Sequence, residues 1–285
     1  LEFRRVLFRS RYGGSSVTPT GDGAYTIDRW MVRISQSSKF SVQQAAGSIT
    51  PPAGLNYLGV TSLSTYTVLS SDYFALTQRI EGYTVSDFAF GTANAKTVTL
   101  SFQVYSSLTG TFGGSLMNSL ANRSYPFTYT ISSANTWTQI SITIPGDTTG
   151  TWYNNNSTGM SVFFGLGVGS TKTGTPGAWA AGEYMSGTGA TSVVGTNAAT
   201  FYITGVQLEP GSVATPFEYR HYLTELNYCY RYFVYTGGVF DRGSTVSTNS
   251  SGNYIDKFIL PVAMRSTPTI SWTRTLSRSE EHTSE

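Results

Sequence analysis

Val98, Leu100, Phe102 and Val104 alternate with Thr97, Thr99, Ser101, Gln103 and Tyr105 along the most regular stretch of the chain, Lys96 to Tyr105. A period of two puts the four apolar side chains on one face of a strand, whereas a helix would scatter them around its axis. The pattern recurs in Phe74, Leu76, Gln78 and Ile80, in Ile140, Ile142 and Ile144, and in Val162, Phe164, Leu166 and Val168. Weaker strands are expected at Lys39 to Gln44, Tyr66 to Leu69 and Phe127 to Ile131. Short alternating segments separated by Gly, Ser, Thr and Asn turns, with no long helical period, define an all-β chain. The expected fold is a jelly-roll β-sandwich over residues 11–210, one large module rather than two small ones. Long polar insertions interrupt it at Gly47 to Asn56, Gly146 to Gly159 and Gly169 to Ala199. The last is long for a loop in a compact domain, so it is either functional or carries minor strands that periodicity does not detect.

Only 12% of the residues are charged and the net charge is +2, while the chain carries 30 glycines and 19 tyrosines. Its surface is therefore built from hydroxyl, amide and aromatic groups, as suits an extracellular or virion protein with Thr, Ser and Tyr on its outward strand positions. The absence of a Lys/Arg cluster argues against a nucleic-acid partner, which needs clustered cations to neutralise phosphates. No apolar run is long enough to insert into a membrane as a helix. Cys229 has no second cysteine to pair with and reads as a small buried residue. A Cys229/His221 nucleophilic pair lacks a third orienting group.

Both ends of the chain translate one oligonucleotide read in opposite directions. Residues 278–285 written as AGA TCG GAA GAG CAC ACG TCT GAA have a reverse complement that encodes Phe-Arg-Arg-Val-Leu-Phe-Arg-Ser, the sequence of residues 3–10. Residues 1–10 and 278–285 are accordingly expected to be adapter-derived and are set aside from fold reasoning. The natural insert is expected to be a fragment with unknown termini.

Between residues 201 and 233 the chain closes one β-rich body and opens another. Phe201 and Ile203 alternate with Tyr202 and Thr204, and the apolar parity then shifts to Val206 and Leu208, which predicts a bulge at Gly205. Glu209-Pro210-Gly211 stops the strand, and Pro216 forbids its continuation as a central strand. A linker with a short helix, capped by Thr224 and using Leu223, Leu226 and Tyr230, is expected within residues 211–235. An incomplete C-terminal β module is expected over residues 236–277, with strands in Val234 to Val246 and Asn253 to Trp272.

Val206, Gln207, Leu208, Glu209, Gly211, Thr215, Pro216, Phe217, Glu218, Arg220, Glu225, Leu226, Cys229, Arg231, Tyr232 and Phe233 together closely resemble a segment of tail-fibre and tail proteins of tailed bacteriophages, found at the exit of a jelly-roll module. The resemblance extends more loosely to Asp28-Arg29-Trp30, to Gln78-Arg79-Ile80-Glu81 and to residues 261–268. It implies a virion tail component, assembled as a homotrimer in a fibre, that contributes to host attachment. The jelly roll also resembles the carbohydrate-binding modules attached to polysaccharide-degrading enzymes. Many of those hold a structural calcium through acidic residues near the first and last strands. Here Asp22, Asp28 and Glu209 are the available oxygen ligands, the last strand lacks the acidic pair, and the balance is against calcium. No other cofactor and no zinc-spaced His/Cys set is expected.

A cell-surface glycan is the partner that the loop residues suggest, because sugars present apolar C–H faces to flat rings and hydroxyls to amides. Trp152, Tyr153 and Asn154 in one loop, and Trp179, Glu183 and Tyr184 in another, have that composition. Outward strand positions add Arg79 and Gln103, with Glu81 and Tyr105 beside them, provided that their strands share a sheet. Hydrolysis would require two carboxylates facing each other across a cleft, and the acidic residues are too few and too near arginines or the junction motif for catalysis to be expected. A structural fibre spacer or trimerisation module, and an accessory binding module of a secreted polysaccharide hydrolase, are the competing readings.

Overall fold

The computed structural model describes residues 14–27, 29–52, 56–218, 222–232, 247–248, 254–255, 261–267 and 269. The chain divides into two compact units, Leu1–Cys229 and Tyr230–Glu285. The first is an all-β jelly-roll sandwich. One sheet has seven strands, in the spatial order β1 (Tyr25–Ile27), β2 (Trp30–Ile34), β5 (Tyr73–Glu81), β10 (Thr158–Val168), β7 (Gly110–Asn118), β8 (Arg123–Ile131) and β12 (Ala180–Ala181). The other has five, β3 (Phe40–Gln44), β4 (Leu58–Ser62), β14 (Thr200–Pro210), β6 (Val98–Ser106) and β9 (Thr138–Ile144). All neighbouring strands in both sheets are antiparallel.

The alternating faces meet between the sheets. Phe74, Leu76, Val98, Leu100, Phe102, Val104, Val162, Phe164, Phe201 and Ile203 are all fully buried there. Phe102 meets Phe164 edge-on at 5.0 Å and Tyr129 at 5.1 Å. Each such side chain contributes roughly 1.5–3 kcal/mol by leaving water. Strand β14 shifts register between Thr204 and Gln207, with Gly205 at φ 60, so the bulge expected at Gly205 is present.

One sequence reading differs from the structure, one strand was not read from the sequence, and the long insertion takes one of the two forms expected of it. Tyr66 to Leu69 is not a strand but an irregular segment gathered around Asp72, whose carboxylate accepts from the Tyr66 hydroxyl (2.8 Å) and the Leu69 N–H (2.9 Å). Strand β7 was not apparent from periodicity, since Gly113-Gly114 reads as a turn. In the sheet Gly114 lets a neighbouring ring cross the strand, because a Cβ there would lie 2.5 Å from Cζ of Phe127 and would collide with the Phe163 carbonyl. The insertion after Gly169 carries minor strands, β11 (Thr173–Gly174) paired in parallel with β13 (Ser186–Gly187), and the edge strand β12. It folds over the outer face of the seven-stranded sheet, where Met185 is buried with Ala75, Met117 and Phe163.

Two helices are short: α1 (Gly82–Val85) follows β5, and α2 (Tyr222–Tyr230) starts two residues before the expected cap Thr224 and buries Cys229. In the second unit, β15 (Ser247–Thr248) pairs with β16 (Tyr254–Ile255), and Arg265 N–H donates to the Arg231 carbonyl (3.0 Å). The other residues of the strands expected between 234 and 246 and between 253 and 272 lie largely outside the described residues, as do both adapter-like ends, Asp28 and His221. Among the described residues no helix is long and apolar enough to cross a membrane.

Replacing Gly114 by Ala should lower stability by about 1–3 kcal/mol through overpacking against a backbone carbonyl that cannot retreat. A drop in the urea midpoint at unchanged slope is the expected signature.

Candidate functional site

Two further places gather aromatic side chains, one on an outer sheet face and one at the margin of the core. On the outer face of the five-stranded sheet, Tyr105 and Tyr202 stack at 5.3 Å with an interplanar angle of 8°, and Tyr57 and Trp137 lean against them. The chain itself covers most of this cluster and leaves Trp137 partly exposed. Ala46 packs on it, the Ile49 N–H donates to the Tyr57 hydroxyl (2.9 Å), that hydroxyl donates to the Ala46 carbonyl, and the Trp137 indole donates to the Thr50 carbonyl (3.1 Å). Burial pushes the Tyr57 and Tyr202 hydroxyls above the usual tyrosine range.

Farther along the same face the exit segment is clamped down. The Glu209 carboxylate accepts from the Thr215 N–H (2.9 Å) and hydroxyl (2.7 Å) and from the Gln207 amide (2.8 Å), and the Gln207 oxygen accepts from the Glu218 N–H (3.2 Å). The Gln-Leu-Glu and Thr-Pro-Phe-Glu parts of the junction thus recognise each other. Glu209 is engaged in this clamp, and Asp22 accepts from the Arg33 guanidinium (3.1 Å) and the Ile34 N–H (2.8 Å). Among the described residues no three His, Cys, Asp or Glu side chains converge as metal ligands.

The second cluster lies at the loop end of the sandwich, and it contains Trp152 and Trp179. Their rings meet edge-to-face at 5.4 Å and both stand edge-on to Phe90, at 5.0 and 5.7 Å. Tyr125 touches Trp179 at 5.3 Å. Both indoles are partly exposed, and both use their N–H internally. Trp152 donates to Asp147 Oδ2 (3.2 Å) and to the Thr149 carbonyl, and Trp179 to the Pro145 carbonyl (2.7 Å). Asp147, itself 2% exposed, anchors the loop through a bidentate pair with Arg123 (2.5 and 3.0 Å). Burial opposes ionisation of Asp147, but the Arg123 guanidinium and the Thr149 groups hold its carboxyl below the usual carboxylate range.

Tyr153 and Asn154 are exposed beside Trp152. The structure adds Tyr83, which is 62% exposed on α1; its N–H donates to the Asn155 carbonyl (3.0 Å), so α1 and the Trp152 loop are laced together. Tyr83 follows the strand ending Arg79-Ile80-Glu81, and nothing in its local sequence distinguishes it from a core tyrosine. The other candidates are not brought here. Glu183 is neutralised by Lys172 (2.5 Å) and faces Arg33 (3.8 Å), and Tyr184 lies on Gly174 and Gly182. Arg79 is exposed on β5 of the seven-stranded sheet, whereas Gln103 sits on β6 of the five-stranded sheet, bonded to Gln139. The outward patch that required their strands to share a sheet does not exist. Its remaining members, Glu81 and Tyr105, are buried, Tyr105 within the stacked cluster.

No protein-family model and no curated protein matches this chain. Among solved structures it is similar to a CBM4 carbohydrate-binding module, at 15% identity and a TM-score of 0.35, covering 65% of this chain and 88% of that one. It is similar to the family 11 carbohydrate-binding module of a cellulosomal cellulase of Clostridium thermocellum, at 15% identity and a TM-score of 0.34, over 69% and 96% of the two chains. It is also similar to the enzymatically active domain of tailspike protein 4 of bacteriophage CBA120, at 9% identity and a TM-score of 0.36, over 64% of this chain and 19% of that one. No binding residue is carried over from these structures.

Because the Asp147 carboxyl titrates lower folded than its unfolded value of about 3.9, the stability it contributes is present above that value and is lost as the pH falls through the folded one. Asp147→Asn should therefore cost about 2 kcal/mol at neutral pH and should flatten the acid limb of the stability profile. Urea midpoints measured from neutral pH down through the carboxylate range test both effects.

Proposed function

We propose that the jelly roll is a glycan-binding module of a tailed-phage tail fibre or tail component, contributing to attachment to the host surface, and that the ligand docks at the loop end. The observation that carries the docking position is the contrast in cover between the two aromatic clusters. Three rings of the sheet-face cluster, Tyr57, Tyr105 and Tyr202, are buried and only Trp137 is partly exposed, while the loop end leaves Trp152 and Trp179 partly exposed and Tyr153 and Tyr83 exposed beside them. With both indole N–H groups engaged inward, the hydrocarbon part of each ring is what remains for the C–H face of a pyranose. Asn154 and the two tyrosine hydroxyls remain for its hydroxyls. One buried carboxylate at this end, Asp147, is spent on Arg123 and Trp152.

The virion assignment is supported by the junction. Gln207 and Glu209 hold Thr215 and Glu218 in a clamp that accounts for why those residue types accompany one another in the tail-protein segment that this chain resembles. An accessory binding module of a secreted polysaccharide hydrolase would use the same loop end. Capsid and tail genes beside this one would favour the first reading, and sugar-uptake genes the second.

Tyr83→Ala and Tyr153→Ala separate binding from folding, because both side chains stand clear of the core. Ring stacking worth about 1–3 kcal/mol per contact implies that each variant loses roughly tenfold in affinity on a glycan array with its melting temperature unchanged. A wild-type chain that binds no glycan, or variants that bind as well as wild type, would leave the loop end with a structural role alone.

A further inference from the structure

Strand β9, Thr-Gln-Ile-Ser-Ile-Thr-Ile over Thr138–Ile144, is the outermost strand of the five-stranded sheet and is bonded to β6 on one side only. It has seven residues, none of them charged and none of them proline. The other edges are protected. On β3, the Val17 N–H donates to the Val42 carbonyl (2.9 Å) and the Val42 N–H donates back (2.8 Å). The seven-stranded sheet ends in the three residues of β1 and the two of β12. Among the described residues no backbone–backbone hydrogen bond outside β6 reaches β9, and the Thr143 hydroxyl on its outer face donates to the Ser212 carbonyl (3.0 Å). Core-facing Ile140 and Ile142 are only partly buried, although their cross-strand partners Phe102 and Leu100 are fully so. Gln139, Ser141 and Thr143 are exposed. Natural sheets usually block such an edge with a charge, a proline or a bulge, and none of these is present in β9.

We propose that β9 is the pairing edge for a second copy of this chain, two β9 strands running antiparallel about a two-fold axis at Ser141. That register opposes Ser141 to its own equivalent, Ile140 to Ile142 and Gln139 to Thr143, and it pairs all seven residues. Each isoleucine stays on the core side and each polar residue on the outer side, so the pairing extends both cores and both sheets without exchanging faces. A second copy supplies the complementary pattern by symmetry. The edge carries no charge with which to select a charged partner. The pairing is independent of glycan recognition and differs in symmetry from the three-fold assembly of a fibre.

The test is sedimentation of the full chain over a wide concentration range, with Ser141→Lys and Ser141→Glu made in parallel. Wild type should reach the mass of two copies. Each variant alone opposes like charges across the axis and should dissociate about threefold to fivefold more readily. An equal mixture of the two should regain the paired mass, which only that register explains and which shows that both variants remain folded. A wild-type chain of one-copy mass throughout would overturn the proposal, as would an oligomer of any size that the two variants and their mixture leave unchanged.

Discussion

Strand β14 has to satisfy two faces at once, and the rest of the jelly roll is arranged around how it does so. Its inward side chains Phe201, Ile203, Val206 and Leu208 are all buried between the sheets. Its outward ones are each assigned a covering segment: Tyr202 belongs to the cluster beneath residues 46–50, Thr204 donates to the Asn56 carbonyl (2.7 Å), and Gln207 and Glu209 clamp the exit. Without the bulge at Gly205 the two halves of the strand would present opposite parities, and either Val206 and Leu208 or Phe201 and Ile203 would face outward. One residue with φ 60 therefore lets a single strand both close the core and hold down what lies outside it.

The chain carries little charge, and its own loops cover parts of its surface. Small residues at many outward positions let loops pack closely, and part of each outer face is roofed. Met185 and its insertion lie over Ala75, Met117 and Phe163 on one side, and residues 46–50 with the exit segment lie over the other. Each roof is tied down by hydrogen bonds to outward strand positions, Ser124 to Gly182 and Tyr184 on one side and Thr204 to Asn56 and Glu209 to Thr215 on the other. What remains open is the loop end and the side edge at β9.

Much of this organisation was legible in the residues, and the exceptions have physical reasons. Period-two faces identify β5, β6, β9 and β10, because three or four apolar residues spaced two apart line one face of a strand but are scattered around a helix. The parity break at Gly205 identifies a bulge for the same reason. Strand β7 was hidden because Gly113 and Gly114 carry no side chain to alternate; they are required by the Phe127 ring and the Phe163 carbonyl, which come from other strands. Tyr66 to Leu69 looks like a strand by composition but is captured by Asp72, a side-chain contact that periodicity does not contain. At the candidate site, Trp152, Tyr153 and Asn154 stand out because loop aromatics lack a core rationale. The pairing of Trp152 with Trp179, and the approach of Tyr83, depend on how three separate loops fold back. Arg79 and Gln103 have the right parity in their strands, but parity cannot tell which sheet a strand joins.

The two indoles at the loop end serve the fold as much as any ligand, and this has a bearing on binding. Each is held by a hydrogen bond at its polar edge and by edge-to-face contacts with Phe90 and with the other, so neither has a free rotamer to lose. Ordering a side chain at an interface costs on the order of 0.5–1.5 kcal/mol, comparable to what one stacked ring returns. A ring that the core has already ordered avoids that cost. Tyr153 and Tyr83 stand on a laced pair of loops but project freely, so they carry it in full. The same packing that makes Trp152 and Trp179 unsuitable for a clean alanine test makes them the part of the surface on which a weak ligand would be held with the least loss of freedom.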